Sequence, residues 1–477
     1  MHAHLSRREF MEMSAAGLAS LASLALPSPG WAAKRNEDRP NILFLAVDDL
    51  NDWVGCYGGH PQVKTPNLDR LAKRSCLFES AYCSAPLCNP SRTALMTGLR
   101  PSTTGIYRNA TWFRDVAEYR DIVTLPQHLR RAGGYRAYGG GKIYHHPGGK
   151  MSDPASWNRQ YSTRHGTPKA KDAELHDLQF RAAYRRKAWQ WAPIDVPDER
   201  TADWQTADGA AELLKQSHDE PFFLACGIFR PHLPWYAPRK YFQMYPLDEI
   251  QLPKVLENDL DDVPDAGRQM AGAHVHEIIK DGGQWKQAVQ AYLACVSFAD
   301  ACVGHVLDAL DNSEHKDNTI VVLWGDHGWH LGEKQHWAKY AMWEQANHTP
   351  LMIRAPGVTK ADTRCARPVS LQDLYPTLSE LCGLAVPDHV EGRSLKPLLQ
   401  QPDREWEYPA VMTHKYNNHA VRSQRWKYIR YEDGSEELYD HDNDPLEWHN
   451  LAGEPKYASV KQELAEWFPK TNAKPRS

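Results

Sequence analysis

Two adjacent carboxylates, Asp48 and Asp49, close the apolar run "RPNILFLAVDDL". Side by side at a strand end they repel each other and lose hydration, so they require a cation or strong basic partners. A second apolar run, "NTIVVLWGDHGWHLGE", ends in Asp326 and His327. The two ends offer three carboxylates and an imidazole, a donor set that suits a hard divalent ion such as calcium or magnesium better than zinc. The plainer alternative is that Asp48 and Asp49 cap a following helix. A third feature is "SAPLCNPSRTALMTG", residues 84–98. Pro90 and Ser91 suit a helix start whose backbone N–H groups face Cys88, and Arg92 adds a fixed positive charge. A cysteine in that setting has a lowered pKa and enhanced reactivity. Its structural alternative is a disulfide to Cys83 or Cys76.

The elements that must position these residues are legible as apolar periodicity. "EPFFLACGIFRPHLPW" is a third strand-length run, ending in Arg230 and His232. Ligands of open parallel α/β sheets gather at the carboxyl ends of strands, so the three runs are expected to converge on one crevice. Helical stretches lie between them: "PNLDRLAKRS", "LPQHLRRAG" and the long "WKQAVQAYLACVSFADACVGHVLDALD". The alternation predicts a doubly wound α/β body over residues 38–390, with residues 150–215, polar and rich in Trp and Arg, as an irregular insertion. From residue 405 the texture changes to short alternating runs broken by Asn-Asn, Asp-Gly and Asn-Asp-Pro, the pattern of an antiparallel meander, closed by the helix "PKYASVKQELAEWF".

Composition bounds the partners. The 477-residue chain is 42 % hydrophobic and 24 % charged with a formal charge of -4, enough for a large core and without the basic excess that nucleic acid requires. Seventeen Trp and 21 Tyr are many; core packing accounts for most, but flat aromatics also line carbohydrate clefts. At the N-terminus, Arg7-Arg8 precedes an apolar Ala15–Leu26 run and small residues near Ala32. Residues 1–33 therefore read as a twin-arginine-type export signal, and the mature protein is expected in the periplasm or outside the cell, with no stable membrane span after cleavage. Nine cysteines permit disulfides there but leave at least one thiol over, and Cys226, Cys295 and Cys302 read as buried and inert.

"CNPSRTALMTG" resembles the C-x-P-S-R…T-G signature of type I sulfatases, in which the cysteine is converted to formylglycine. "TPNLDRLAKRS", the Asp-Asp pair, "GDHGWHLGEKQHWAKY" and "ELYDHDNDPLEWHNLA" resemble the same family in order and spacing over nearly the whole mature chain. "GLRPSTTGIY", "GGGKIYHHPGG", "RPHLPW" and the Asp-His pair look most like the iduronate-2-sulfatase branch. The resemblance implies an alkaline-phosphatase-like doubly wound mixed sheet flanked by helices, with a smaller C-terminal antiparallel-sheet subdomain over residues 405–470. It implies one Ca2+ held by Asp48, Asp49, Asp326, His327 and residue 88, although the family more often carries Asn where His327 stands.

The same resemblance assigns roles. Hydrated formylglycine at position 88 supplies the nucleophile and a second hydroxyl that expels sulfate, Arg92 holds the diol and the metal-side charge, and Lys142 and Lys339 bind the sulfate. His145, or its neighbour His146, assists proton movement at residue 88, and His232 protonates the leaving alcohol. "GGGK" is no phosphate loop, because Arg136 stands where that motif needs Gly and Ile143 where it needs Ser or Thr. His330, Glu333, His336 and Trp337 either shape the substrate pocket or support its loop. The partners implied are a sulfated saccharide and a formylglycine-generating or anaerobic sulfatase-maturating enzyme. The alternative is a phosphomonoester or phosphonate hydrolase on the same fold, disfavoured by Cys88 where those enzymes carry Ser or Thr.

Overall fold

The computed structural model describes residues 39–164, 168, 176–177, 189–272 and 274–476; the export-signal segment lies outside the described residues. Eight strands form the main sheet: β1 (Asn41–Val47), β2 (Cys76–Phe78), β3 (Arg136–Gly141), β4 (Arg159–Ser162), β5 (Phe222–Ile228), β6 (Thr319–Gly325), β7 (Leu351–Arg354) and β8 (Thr363–Cys365). Their spatial order is β8-β2-β7-β6-β1-β5-β3-β4. The five strands from β6 to β4 run parallel, whereas β7 is antiparallel to both β6 and β2, so the sheet is mixed.

After Asn41, β1 is apolar to its end, as suits a strand covered on both faces. Leu43, Leu45 and Val47 pack into one core with α1 (Pro66–Ala72), α4 (Ala202–Leu214) and α5 (Trp285–Asp311). Ile42, Phe44 and Ala46 pack into the other with α2 (Cys88–Thr97), α3 (Leu125–Gly133) and α6 (Leu374–Leu381). α5 is long and apolar enough to cross a membrane, but here it forms the spine of the first core. Asp300 of α5 caps α1 by accepting from the backbone N–H groups of Asn67 (3.1 Å) and Leu68 (2.8 Å).

The expected irregular insertion over 150–215 is corrected at both ends. β4 extends the sheet edge, and α4 is a regular helix, capped by the Thr201 hydroxyl, that packs on α5 and β5. The helical signal was weak because α4 packs through small residues, Ala207 and Ala210, over most of its length, with Leu213 and Leu214 only at its end.

The C-terminal meander is as expected: β9 (Ala410–Thr413), β10 (His419–Arg422), β11 (Trp426–Arg430) and β12 (Glu436–Asp440) form a four-stranded antiparallel sheet in sequence order. One face packs on Leu464 of α7 (Ala458–Ala465), and the other packs on Tyr82, Trp343 and Ala346 of the main body. Lys427 of β11 is fully buried between Glu344 of the body (3.1 Å) and Glu447 (3.2 Å). All nine cysteines are free, which removes the disulfide alternative for Cys88; burial pushes the Cys226 and Cys295 thiols up to about 12.

Candidate active site

Register brings the predicted strand ends together. Val47 of β1 is level with Gly325 of β6 on one side and Ile228 of β5 on the other, so Asp48-Asp49, Asp326-His327 and Arg230-His232 leave the sheet at one edge. Asp49 turns back with φ 59°, an unusual conformation for a non-glycine residue, held where its N–H donates to Asp326 Oδ1 (3.0 Å) and its carbonyl accepts from Tyr292 Oη (2.8 Å). Neither aspartate caps a helix. The lysine at the end of β3 is brought in by a tight backbone approach: a Cβ on Gly141, at φ +67°, would fall 1.9 Å from the Gly227 carbonyl, and Lys142 N–H donates to that carbonyl at 3.1 Å.

Cys88 opens α2 and is fully buried. The helix start is braced rather than open, because Asn89 N–H donates to Asn109 Oδ1 (3.0 Å) and Ser91 Oγ donates to the Asp326 carbonyl (2.6 Å). Around the Cys88 sulfur lie Lys339 Nζ at 3.0 Å, His327 Nε2 at 3.4 Å and Asp49 Oδ1 at 3.9 Å. Burial opposes ionisation of this thiol, but Lys142, Lys339 and His327 together draw it well below the usual thiol range, in line with the reactive setting expected of it.

Both outcomes expected for the paired aspartates occur, basic partners and a cation-sized cluster. Lys142 Nζ donates to Asp48 Oδ2 (2.5 Å), and Lys339 Nζ donates to Asp49 Oδ1 (2.6 Å). Arg92 spends its donors on Asp326 Oδ2 (2.8 Å), Asp48 Oδ1 (2.9 Å) and the carbonyls of Lys142 (2.5 Å) and Ile143 (2.8 Å). It thus ties three strand ends together and makes no hydrogen bond to Cys88, so its visible task is on the carboxylate side of the expectation. Burial raises both aspartates; at Asp48 the opposing pull of Lys142 wins and the carboxyl lies low, while at Asp49 burial wins over His232 and Lys339.

Asp49, Cys88, Asp326 and His327 present ligand atoms within 4.8 Å of one another, and Asp48, Asp49, Cys88 and His232 form an overlapping set. Asp49 Oδ2 is buried without a hydrogen-bond partner, an acceptor that a cation would satisfy. His327 donates from Nδ1 to the Gly328 carbonyl (2.9 Å), which leaves Nε2 turned to the cluster. Against the effect of burial, Asp326 holds that imidazole's pKa up at about 9. The residues present therefore fit a divalent cation.

His232 is half-buried, with Nε2 3.8 Å from Asp49 Oδ2 and Nδ1 2.5 Å from the Leu233 carbonyl. His145 follows Lys142 in the loop after β3; its Nδ1 is buried without a hydrogen-bond partner, and its ring lies 4.8 Å from that of exposed His146 rather than on Cys88. Of the residues near Lys339, His336 contacts the carbonyls of Ala271 (2.5 Å) and Lys339 (2.7 Å), and Glu333 Oε2 accepts from Leu331 N–H (2.7 Å), contacts that support the loop. Sequence reasoning missed Tyr292, the eighth residue of the 27-residue helix α5, whose hydroxyl accepts from Asn51 N–H (3.0 Å) while it holds the Asp49 turn.

This mixed sheet, with carboxylates and Lys142 at its parallel strand ends and Cys88 at a helix start, is the alkaline-phosphatase-like fold that the sequence resemblance implies. The sulfatase family model matches residues 40–384, and the model for the C-terminal part of N-sulphoglucosamine sulphohydrolase matches residues 332–474. A sulfatase of Formosa agariphila is 40% identical over 458 residues, covering 92% of this chain and 88% of that one. Iduronate 2-sulfatase of Mus musculus is 30% identical over 535 residues, covering 90% and 93%. The solved phosphonate monoester hydrolase of Silicibacter pomeroyi, 22% identical with a TM-score of 0.71 over 90% of this chain and 94% of that one, shows the shared fold. The chain belongs to the sulfatase family and is a sulfuric ester hydrolase.

Proposed function

We propose that the protein is an exported sulfatase acting on sulfated sugars, iduronate-2-sulfatase-like in substrate class, on fragments of glycosaminoglycan or algal polysaccharide. Its likeness to the Mus musculus iduronate 2-sulfatase over most of both chains supports the sugar class. The N-terminal Arg7-Arg8 pattern supports twin-arginine export to the periplasm or beyond. The observation that carries the mechanism is the position of Lys339 Nζ, 3.0 Å from the Cys88 sulfur and 2.6 Å from Asp49 Oδ1, which places a cation against the reacting residue.

In this reading Asp48, Asp49, Asp326 and His327, with residue 88, hold one Ca2+, which when bound polarises the sulfate oxygens. Cys88 is matured to formylglycine by a formylglycine-generating or anaerobic sulfatase-maturating enzyme, and its hydrate supplies the attacking hydroxyl and a second hydroxyl for sulfate release. Lys142 and Lys339 bind the sulfate and stabilise charge on its oxygens. Arg92 holds the carboxylates of two strand ends, Asp48 and Asp326, and the backbone of a third in place. His232, anchored through Nδ1 with Nε2 facing the site, gives its proton to the leaving alcohol, and His145, or its neighbour His146, assists proton movement at residue 88.

The test is mass spectrometry of the peptide spanning residues 84–92, together with turnover of a panel of sulfated saccharides and phosphate monoesters. An aldehyde at residue 88 and turnover of sulfate esters are expected. An unmodified thiol in fully active protein would sink the maturation reading, and a preference for phosphate esters would favour the phosphomonoester or phosphonate hydrolase alternative. Cys88→Ser is expected to end multiple turnover, because a single hydroxyl cannot eliminate sulfate.

A further inference from the structure

The last residues of the chain return from the meander to the main body. Ala473 N–H donates to the Ser102 carbonyl (2.7 Å), Arg476 N–H donates to the Gly105 carbonyl (3.0 Å), and Tyr107 Oη donates to the Ala473 carbonyl (2.8 Å). The fit is close: a Cβ on Gly105, already at φ +73°, would lie 2.4 Å from the Lys474 carbonyl. The segment that this strap holds also braces the start of α2, since Asn89 Nδ2 donates to the carbonyls of Arg108 (3.0 Å) and Thr111 (2.6 Å).

Between the strap, this segment and the loop joining β9 to β10 lies a cavity of about 740 Å3. Its wall includes Leu87 and Tyr340, the chain neighbours of Cys88 and Lys339, which places it one residue along the chain from each. Tyr107, Tyr340 and Tyr416 supply aromatic surface. Arg108, Lys415 and Lys474 bring three cations from three distant parts of the chain, with Glu432 as the one acidic residue in the lining. Among the described residues no carboxylate forms an ion pair with any of the three. Lys415 is held at φ 61°, an unfavourable conformation for a side-chain-bearing residue. His414, 3 % exposed, also lines the cavity with its Nε2 buried and without a partner; burial pushes its pKa down to about 3, so the ring is neutral and ready to hydrogen-bond a hydroxyl.

We propose that the C-terminal strap completes a saccharide pocket in which Lys474, Lys415 and Arg108 read a second anionic group, a carboxylate or a further sulfate, on the sugar whose ester is cut. The proposal rests on the sulfatase reading above and extends it to the residues that set specificity. Three cations from separate segments line this one cavity without a carboxylate partner, and an anion held there accepts charge-assisted hydrogen bonds from them. The tyrosine faces cover the pyranose ring beside it.

The test compares three disaccharides carrying the same scissile sulfate: one with a uronate carboxylate, its carboxyl-reduced counterpart, and a counterpart with a second sulfate in place of the carboxylate. In Lys474→Ala and Lys415→Ala, KM for the anionic pair is expected to rise about tenfold, the loss of one charge-assisted contact, with kcat nearly kept. The kcat/KM preference for anionic over reduced substrate falls by the same factor, and Lys474→Arg restores it. Whichever anionic substrate loses more identifies the group that is read. An unchanged preference in both alanine variants overturns the proposal. Calorimetry with the desulfated uronate disaccharide tests the pocket without turnover: binding about tenfold weaker in Lys474→Ala supports it, and equal binding overturns it. Protein that binds this disaccharide through Lys474 yet hydrolyses no sulfate ester would refute the sulfatase reading while leaving the pocket standing.

Discussion

Lys339 Nζ sits 3.0 Å from the Cys88 sulfur although 251 residues separate the two in the chain. The ammonium also holds Asp49 at 2.6 Å and lies 5.3 Å from the centre of the Trp329 ring, so it is fixed against Cys88, where the proposed mechanism has it bind the sulfate. Lys339→Ala is expected to lower kcat/KM for a sulfate ester by about 10²–10³, the usual cost of one lost charge-stabilising donor. Steady-state kinetics with near-ultraviolet circular dichroism checks it; activity within threefold of wild type in a folded variant would rule out direct work on the sulfate.

The orphaned Asp49 Oδ2 predicts a cation-dependent stability. Chelation is expected to lower both turnover and the unfolding temperature, and calcium to restore both, with a gain of about 2.7 kcal/mol when free calcium exceeds its Kd a hundredfold. Asp49→Asn should lose most of the thermal response. Identical melting curves with chelator and with calcium would argue against a cation at this cluster.

Asp300 predicts a pH dependence that is independent of catalysis. Burial raises its carboxyl from 3.8 to about 6, despite the backbone and side-chain donors of Asn67 and Leu68. The folded state therefore holds this proton more tightly than the unfolded state does. The associated stability is fully present below pH 4 and is lost as pH rises through 6, amounting to roughly 3 kcal/mol. Asp300→Asn removes the titration, so its stability relative to wild type should climb between pH 4 and 6 in urea unfolding. A difference that stays constant with pH would show that the carboxyl titrates normally.

Lys427 predicts a strong coupling between the meander and the main body. It is fully buried between Glu344 and Glu447, and Glu447 also contacts His441 Nε2 at 3.0 Å. Lys427→Met leaves Glu344 with Arg422 (3.6 Å) and Glu447 with His441 as their remaining basic neighbours and is expected to cost about 3 kcal/mol. The midpoint of denaturant unfolding measures it; a loss below about 1 kcal/mol would mean that the glutamates take up protons or water at little cost.

Much of the fold was legible because its local patterns are strong. The apolar runs ending at Asp48, Ile228 and Asp326, the long periodicity of α5 and the turn signals of the meander each specify a local structure that tertiary packing then accepts. α4 was not legible, since a helix that packs through alanines in a polar neighbourhood carries little periodic signal. Within the site, the sequence by itself determined the strand-end carboxylates, the helix-start cysteine and Arg92, because these depend on neighbours a few residues away. Only the tertiary structure decided that Arg92 bonds to the carboxylates rather than to Cys88, that Tyr292 holds the Asp49 turn, and that Lys474 returns to a cavity shared with Leu87 and Tyr340. Those relations depend on strand order, register and the path of the final strap, long-range geometry that no local spacing encodes.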